Sequence, residues 1–354
     1  MILNDDEIKT LKELTQLFGP SGDEGIVREY LKEVYSKLDL EIIQDNLGSI
    51  IGVKKSKNKD AKKVLLLAHM DEVGFMVNKI YDNGSIGVIP LGGHNSSTLL
   101  SNRVILKNEE GKFFSGCISS LPPHLMSSSK DNIKIEDMRL DFGFSSKDEV
   151  IASKIDIGDS VVCQGEFEVL NDGKRLLSKA IDDRVGLALG IEVIKELKDK
   201  ELDFDLYIGG SVQEEVGCRG GLTSSYLVHP DLAIVIDCSP SNDINNKNEL
   251  GLIGEGVLVR VKDGNMIAFK DLIAYQINVF NKNNIKYQYF ISNGGTDAGS
   301  IHKNFDGIKT LTYCLCARSI HTPSTVLDAN DYKEAKKGLV SLLLDLNNND
   351  EYKL

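Results

Sequence analysis

Short apolar segments that alternate with helical periods are the feature that most constrains how this chain can fold. Segments such as 64–68 (VLLLA) and 232–236 (LAIVI) have the length of one strand and contain no polar residue. Between such segments, apolar residues recur with helical spacing, for example over 184–197 and 331–346. A strand that is apolar on both faces belongs in a sheet that helices cover on both sides. We therefore predict a layered α/β/α catalytic domain with a mostly parallel sheet.

This alternation is interrupted between residues 71 and 169. The interrupting stretch contains short β-rich segments broken by Gly, Asn, Ser and Pro, and it has no long helical period. Such a pattern predicts a small β-barrel domain. We therefore predict a discontinuous α/β domain formed by residues 1–70 and 170–354, with residues 71–169 inserted. This insertion accounts for a length of 354 residues, which exceeds that of a typical single domain.

Charge and composition exclude several classes of function. The chain has 41 Lys and Arg against 53 Asp and Glu, a formal charge of −12 at pH 7. It therefore lacks the basic balance expected of a protein that binds nucleic acid or an anionic membrane. No apolar run approaches the ~20 residues that cross a bilayer. Six cysteines without a CxxC pair, and a start without signal-peptide features, predict a cytoplasmic protein with reduced thiols.

The N-terminal segment predicts two amphipathic helices before the first buried strand. Gly19-Pro20 would end the first of them. Ser21, followed three residues later by Glu24, has the pattern of a capping box. This pattern predicts that the side chains of Ser21 and Glu24 cap the start of the second helix.

Histidine and acidic residues stand at or near the ends of the apolar segments. Ligand sites in α/β sheets gather at the carboxyl ends of the strands, which makes these residues candidates for a common site. They are His69, His321, Asp182, Asp183, Glu214, Glu215 and Asp237.

Some of these acids could have a structural role and not bind a ligand. Asp182 and Asp183 precede a predicted helix, where adjacent acids are often N-caps. Asp237, in contrast, directly follows an apolar segment that is predicted to be fully buried. A buried carboxylate must be paired, hydrogen-bonded or bound to metal.

Two imidazoles and several carboxylates at one sheet edge form a ligand set for a pair of divalent metal ions. The mixture favours zinc, cobalt or manganese over calcium. Asp71, two residues after His69, is placed to orient that imidazole. The adjacent acids Glu214 and Glu215 suggest that one binds metal while the other acts as a general base. The residues alone do not decide which acid bridges the two ions.

Six motifs, in this order, closely resemble those of the tetrahedral (TET) aminopeptidases, a family of dinuclear metallopeptidases. The family includes glutamyl aminopeptidases, deblocking aminopeptidases and proteins once labelled endoglucanase M. The resemblance covers essentially the whole chain. The motifs are His69–Phe75, Ser178–Gly186, Gln213–Gly220, Asp237–Ser239, Gly294–Ala298 and Ser319–Pro323.

The resemblance implies two divalent metal ions per chain, zinc or cobalt, with manganese as a further candidate. Asp182 would bridge both ions. His69 and Asp237 would complete one site, and Glu215 with His321 would complete the other. The resemblance also implies a cis peptide bond after Asp182.

The resemblance further implies which residues carry out catalysis and bind substrate. Glu214 would be the general base and later the general acid, while Asp71 would hold the ring of His69. A substrate-binding stretch would follow the later strands. Its residues would be Gly294, Gly295, Thr296 and Asp297.

By this resemblance the chain removes N-terminal residues from peptides with a free N-terminus. The reaction would use a water activated by two metals and a glutamate base. The inserted domain would mediate dimers, which would assemble into a hollow tetrahedral dodecamer. One segment departs from the pattern, because Gly92–Leu99 stands where an aromatic residue and a Gln are expected. This departure leaves specificity and assembly open.

Three other interpretations remain. A related dinuclear metallohydrolase, either a carboxypeptidase or an N-acyl deacylase, usually carries its small domain after the Glu-Glu pair and not before Asp182. An endoglucanase-type glycosidase would use paired carboxylates, but this chain has no Trp and only 6 % aromatic residues. A non-enzymatic assembly protein with structural metals would bind metal without turning over peptides.

Overall fold

Two sheets organise residues 2–120, 134–246 and 250–348, which are those that the computed structural model describes. Within these residues, an eleven-stranded sheet forms the larger part and a closed six-stranded barrel the smaller. No helix in the same residues is both long enough and apolar enough to span a bilayer.

The helices and strands follow one another along both parts of the chain. The α-helices are α1 (Asp5–Gln16), α2 (Gly25–Lys37), α3 (Lys147–Ala152), α4 (Ile181–Glu196), α5 (Arg219–Val228), α6 (Lys270–Lys282), α7 (Asp297–Ile301) and α8 (Ala329–Asn348). The strands are β1 (Glu41–Gln44), β2 (Ile50–Lys54), β3 (Lys63–His69), β4 (Gly74–Ile80), β5 (Ile86–Leu91), β6 (Arg103–Lys107), β7 (Phe113–Ile118), β8 (Leu140–Asp141), β9 (Ser160–Cys163), β10 (Glu168–Leu170), β11 (Arg175–Ser178), β12 (Asp205–Ser211), β13 (Leu232–Ser241), β14 (Val257–Lys262), β15 (Tyr287–Ile291), β16 (Lys309–Arg318) and β17 (Thr325–Asp328).

The centre of the large sheet is parallel. Strands β12, β3, β13 and β16 are neighbours in that order, and each pairs in parallel with the next. Antiparallel strands extend the sheet at both edges, with β2 and β1 beyond β12, and β17, β11 and β10 beyond β16. The register puts Ser211 directly beside His69. The predicted layered α/β/α fold is confirmed, and its parallel centre brings several strand ends to one edge.

The central strands bury side chains on both faces. Leu66 of β3 belongs to the core cluster that contains Val185 of α4. The next residue along the strand, Leu67, belongs to a second cluster with Val228 and Ile301, which come from α5 and α7. Successive side chains of a strand point to opposite faces. Helices therefore cover both sides of the sheet, as the uninterrupted apolar segments predict.

The smaller sheet closes in the order β4-β5-β8-β7-β6-β9. It has its own apolar core, to which Phe75, Val88 and Val161 contribute. The predicted β-barrel is therefore confirmed. Residues 121–133 of the predicted insertion lie outside the described residues, and its limits at 71 and 169 stay a prediction.

The capping box predicted for the second helix is wrong. Helix α2 begins after Glu24, whose side chain makes no capping bond. The hydroxyl of Ser21 instead donates to the carboxylate of Asp71 at 2.6 Å, and the carboxylate of Glu24 accepts from the backbone N–H of Gln213 at 3.0 Å. A hydrogen bond to a buried ionised carboxylate is stronger than one to a neutral backbone group. The residues that resemble a helix cap therefore support the edge of the sheet.

A fully buried arginine near the start of α4 ties the N-terminal helix to this edge. The Nε of Arg184 donates to the carbonyl of Met70 at 2.7 Å, directly after β3. Its Nη1 donates to the carbonyls of Leu14 and Leu17, and its Nη2 donates to that of Gly19. The last carbonyls of a helix lack partners within the helix. Arg184 therefore satisfies the end of α1 and joins it to the end of β3.

Glu72 and Lys179 form a buried ion pair beside this arginine. The Nζ of Lys179 lies 2.6 and 2.8 Å from the two carboxylate oxygens of Glu72 and donates to the carbonyl of Leu17. The Nη2 of Arg184 is 3.5 Å from the nearer of these oxygens. Burial lowers the pKa of Lys179, and the negative charge of Glu72 opposes that shift.

We expect Lys179→Met to lower the free energy of unfolding by about 3–5 kcal/mol, since it leaves Glu72 buried without its closest positive partner. The double variant Glu72→Leu/Lys179→Met should recover part of that loss, because no unpaired carboxylate remains. Urea unfolding of the three proteins at neutral pH measures both effects. A double variant that is no more stable than Lys179→Met would contradict this account of the pair.

Candidate active site

The parallel register brings the predicted residues of the sheet edge together. His69 is the last residue of β3, and Glu214 and Glu215 lie in the turn that follows β12. Asp237 differs from the prediction, because its strand does not end at residue 236. Strand β13 continues to Ser241, so Asp237 lies inside the strand and is 5 % exposed.

Asp182 stands between the two predicted histidine ligands. Its Oδ1 is 3.2 Å from the Nε2 of His69, and its Oδ2 is 3.5 Å from the Nε2 of His321. The Nε2 of His321 is also 3.3 Å from the Oε2 of Glu215. The peptide bond between Asp182 and Asp183 is cis, as the resemblance implies. One carboxylate thus faces an imidazole nitrogen with each of its oxygens.

Each histidine is held from behind by a backbone carbonyl. The Nδ1 of His69 lies 3.0 Å from the carbonyl oxygen of Asp71, and the Nδ1 of His321 lies 2.8 Å from that of Gly93. Because a carbonyl oxygen can only accept, both Nδ1 atoms carry the proton. The Nε2 of each ring is therefore the atom available to a ligand, which is the usual arrangement of a metal-binding histidine.

The carboxylate of Asp71 contacts the turn after β12 more closely than it contacts His69. Its Oδ1 is 3.6 Å from the Nδ1 of His69. It accepts hydrogen bonds from the backbone N–H groups of Glu214 and Glu215 at 2.9 and 3.1 Å, and from the Ser21 hydroxyl. Burial opposes ionisation of Asp71, but the nearby charge of His69 and the hydrogen bond from Ser21 lower its pKa. Asp71 thus fixes the position of both glutamates.

Glu214 lies among other acids of the site. Its Oε1 accepts a hydrogen bond from the thiol of Cys218 at 3.2 Å. Burial raises its pKa well above the usual range, although the charge of His69 opposes the shift, and Asp237 and Asp297 raise it further. Burial likewise raises the pKa of Asp297 to about 6. The site therefore holds more carboxyl groups than its two histidines can balance.

An open cavity of about 380 Å³ runs along these residues. It is lined by His69, Asp182, Glu214, Glu215, Asp237 and His321, and by Gly294 and Gly295 of the predicted substrate-binding stretch. The two following residues of that stretch, Thr296 and Asp297, are buried. The carboxylate of Asp297 accepts hydrogen bonds from the Ser211 hydroxyl and the Gly221 N–H.

The donor atoms fit a divalent cation of the zinc type. One ligand atom each from His69, Asp182 and Glu215 lie within 4.8 Å of one another. Imidazole nitrogen and carboxylate oxygen are the donors that zinc and related metals accept. Buried carboxylates that exceed their positive partners must either take up protons or bind such a cation.

Two parts of this site were missed by reasoning from the sequence. Arg260 of β14 lines the cavity, donates from Nη2 to the Gly294 carbonyl at 2.8 Å and contacts the Ser239 hydroxyl at 3.3 Å. A single Arg in the apolar run 257–261 is a signal that could have found it, since a buried charge needs partners. Gly93, which belongs to the segment after β5, gives no such signal.

Comparison with known proteins identifies relatives along nearly the whole chain. The sequence model of the M42 glutamyl aminopeptidase family matches residues 48–337. The glutamyl aminopeptidase of Lactococcus lactis is 35 % identical over 340 residues, which cover 95 % of this chain and 96 % of that protein.

Solved structures give the same result. A TET aminopeptidase from a marine sediment archaeon of the Thaumarchaeota has a TM-score of 0.92 and 34 % identity, covering 97 % of this chain and 98 % of its own. The Pyrococcus horikoshii TET1 peptidase, described as assembling into a tetrahedron or a large octahedral shell, has a TM-score of 0.86 and 30 % identity, covering 95 % and 99 %. The chain therefore belongs to the M42 family of aminopeptidases and is a peptidase. Peptidases of this family depend on metal.

The protons held by the metal-free site predict how stability depends on pH. Burial raises the pKa of Glu215 to about 7. Burial would lower the pKa of His321, but the contacts of His321 with Asp182 and Glu215 outweigh this effect and raise the pKa of His321 to about 9. Between about pH 5 and pH 9 the folded chain therefore binds more protons than the unfolded chain, and stability falls as pH rises. A cation that displaces these protons should stabilise the protein more at high pH.

Melting temperatures of chelator-treated protein, with and without added Zn²⁺, test this expectation at about pH 6 and pH 8. The metal-free melting temperature should fall across this range, and the gain from Zn²⁺ should grow. Glu215→Gln removes one of the titrating groups and should flatten the metal-free profile. A metal-free melting temperature that rises with pH would contradict the prediction.

Proposed function

We propose that this member of the M42 family is a two-metal aminopeptidase, which removes N-terminal residues from peptides with Glu214 as its general base. The observation that carries the proposal is the position of Asp182, whose two oxygens face the Nε2 atoms of His69 and His321. A carboxylate in this arrangement is suited to bridging two cations. Neither imidazole needs to turn, because backbone carbonyls already hold both Nδ1 atoms.

The remaining ligands divide between the two proposed metal positions. Asp237, inside β13, would join His69 and one oxygen of Asp182. Glu215, 3.3 Å from His321, would join the other oxygen of Asp182. The mixed nitrogen and oxygen donors suit zinc or cobalt, and manganese as a further candidate. When bound, such a pair of cations acidifies water and polarises a peptide carbonyl.

Glu214 is the proposed carrier of the proton. Its carboxylate would accept a proton from the attacking water and return it to the leaving amine. Asp71 fixes the backbone N–H of Glu214 at 2.9 Å and would thereby position the base. A metal or a spare carboxylate would hold the free α-amine of the substrate and restrict cleavage to the first residue.

The stretch from Gly294 to Asp297 is proposed to shape the part of the cavity that holds the substrate. Gly294 and Gly295 line the cavity directly. Arg260 holds the Gly294 carbonyl in place, which would keep this wall fixed. Thr296 and Asp297 lie buried behind the glycines and would act by supporting them.

The comparisons do not favour the other interpretations. The family model and the Lactococcus lactis relative, which both match most of the chain, are aminopeptidases. They therefore favour an aminopeptidase over a carboxypeptidase, an N-acyl deacylase or a glycosidase. We place the reaction in the cytoplasm, where the six free cysteines would stay reduced.

The reaction is tested by chelator-treated protein and a panel of aminoacyl-nitroanilides (Glu, Asp, Leu, Lys, Ala). Activity should vanish with chelator and return with Zn²⁺ or Co²⁺. Glu214→Gln should keep the fold and both metal ions and lose about 10²–10⁴-fold in kcat. Asp182→Ala should lose more than one metal ion per chain, measured by elemental analysis. Full activity of Glu214→Gln, or two retained ions in Asp182→Ala, would overturn the proposed roles.

The barrel, within the proposed insertion 71–169, is a candidate for self-association. TET relatives form large shells, which supports dimers and a dodecamer for this chain. Ile151 in α3 and Ile157 after it are 51 % and 67 % exposed. Large apolar side chains exposed near one another often mark a protein interface.

The variant Ile151→Lys/Ile157→Lys should therefore form smaller particles than the wild-type protein. Light scattering after size-exclusion chromatography measures the mass, and circular dichroism checks that the fold is kept. A wild-type mass near twelve chains is expected. A double variant of unchanged mass would show that this surface of the barrel is not the contact.

A further inference from the structure

The two histidines of the proposed site are held by different parts of the chain. His69 is held through Nδ1 by the carbonyl of Asp71, only two residues further along the chain. His321 is held through Nδ1 by the carbonyl of Gly93, which follows β5 of the barrel. His321 is also the more exposed of the two, with 31 % of its side chain accessible against 2 % for His69. The orientation of His321 therefore depends on the barrel.

The segment that supplies this carbonyl is fixed on both sides of Gly93. The ring of His94 stacks on Phe75 with 4.5 Å between the ring centroids and 15° between the planes. Its Nε2 donates to the carbonyl of Gly74 at 2.8 Å, so it is tied to the start of β4. Burial lowers the pKa of His94, which keeps the ring neutral.

Gly92, on the other side, has a left-handed backbone and passes against a proposed metal ligand. Its φ is +84°, and a Cβ added there would lie 2.7 Å from the Cγ1 of Val73 and 3.2 Å from the Cβ of Glu215. Only glycine meets both demands without displacing a neighbour. The backbone from Gly92 to His94 therefore contacts His321 and leaves no room for a side chain between Gly92 and Glu215. His321 and Glu215 share one proposed metal position.

We infer that the barrel controls this second metal position, with Gly92 and His94 as positioning residues that set the Gly93 carbonyl against His321. The inference rests on the proposed role of His321 as a ligand. It predicts that the two positions respond differently when the barrel segment is disturbed. Metal affinity falls at the position of Glu215 and His321 and stays the same at the position of His69 and Asp237. Groups that orient a ligating histidine typically change metal affinity by about 10–100-fold when they are removed.

Two glycines of the barrel allow a matched test. Gly92→Ala places a methyl group against Val73 and Glu215. Gly143→Ala introduces the same strain, since Gly143 has a φ of +82°, but its Cβ would meet nothing within 4 Å. Each metal-stripped protein is titrated with Co²⁺ in a calorimeter. Wild type and Gly143→Ala should show two binding steps. In Gly92→Ala one step should weaken by about 10–100-fold and the other should stay within about twofold.

Two histidines allow a second test that does not depend on backbone strain in Gly92. His94→Ala removes both the stacking and the hydrogen bond to Gly74, and it should weaken the same Co²⁺ step. His94→Gln retains an N–H donor and should recover part of the affinity. His229→Ala is the control, because that ring also packs against an aromatic side chain, Phe305, but outside the site.

His321→Ala separates failure of this inference from failure of the proposed function. If His321→Ala loses one Co²⁺ step while Gly92→Ala and His94→Ala keep both steps unchanged, the role of the barrel is overturned and the proposed ligands stand. If His321→Ala itself keeps both steps, the proposed ligand set fails, and this inference fails with it. If His94→Ala weakened both Co²⁺ binding steps equally, the inference that the barrel controls only one metal position would also be contradicted.

Discussion

Asp71 joins three parts of the chain that are distant in sequence. Its carboxylate accepts hydrogen bonds from the hydroxyl of Ser21 and from the backbone N–H groups of Glu214 and Glu215, while its carbonyl holds the ring of His69. Removing any of these donors would leave a buried ionised group partly unsatisfied, which is costly. The positions of the proposed base, of the proposed ligands Glu215 and His69 and of the N-terminal segment therefore all depend on this one residue.

Negative charge at the sheet edge is balanced in two separate ways. Behind the site, Arg184 and Lys179 neutralise Glu72 inside the protein and bind the end of α1. In front of it, Glu215 and Asp237 have pKa values raised by burial, so the metal-free chain balances them with protons. A bound cation would replace those protons. The ion pairs of Glu72 belong to the folded structure. The protons on Glu215 and Asp237 can be exchanged for a cation, as a metal site requires.

The sequence predicts well what depends on local pattern. Strand β3 is apolar on both faces, and His69 at its end follows from the rule that ligands gather at the carboxyl ends of parallel strands. Local pattern fails where a distant partner decides the outcome. Ser21 looks like a helix cap, but a charged acceptor 50 residues away takes its hydroxyl. Gly93 contacts His321 across 228 residues, and nothing near either residue signals that contact.

The segment Gly92–Leu99, which departs from the pattern that the resemblance predicts, is held in place by the ring of His94. This ring stacks on Phe75. The ring adds a hydrogen bond to Gly74 that a phenyl group could not make. These two contacts fix the backbone next to Gly93, whose carbonyl lies 2.8 Å from the Nδ1 of His321. The same barrel is proposed to form subunit contacts. The short segment Gly92–His94 therefore connects the proposed subunit interface to the proposed metal site.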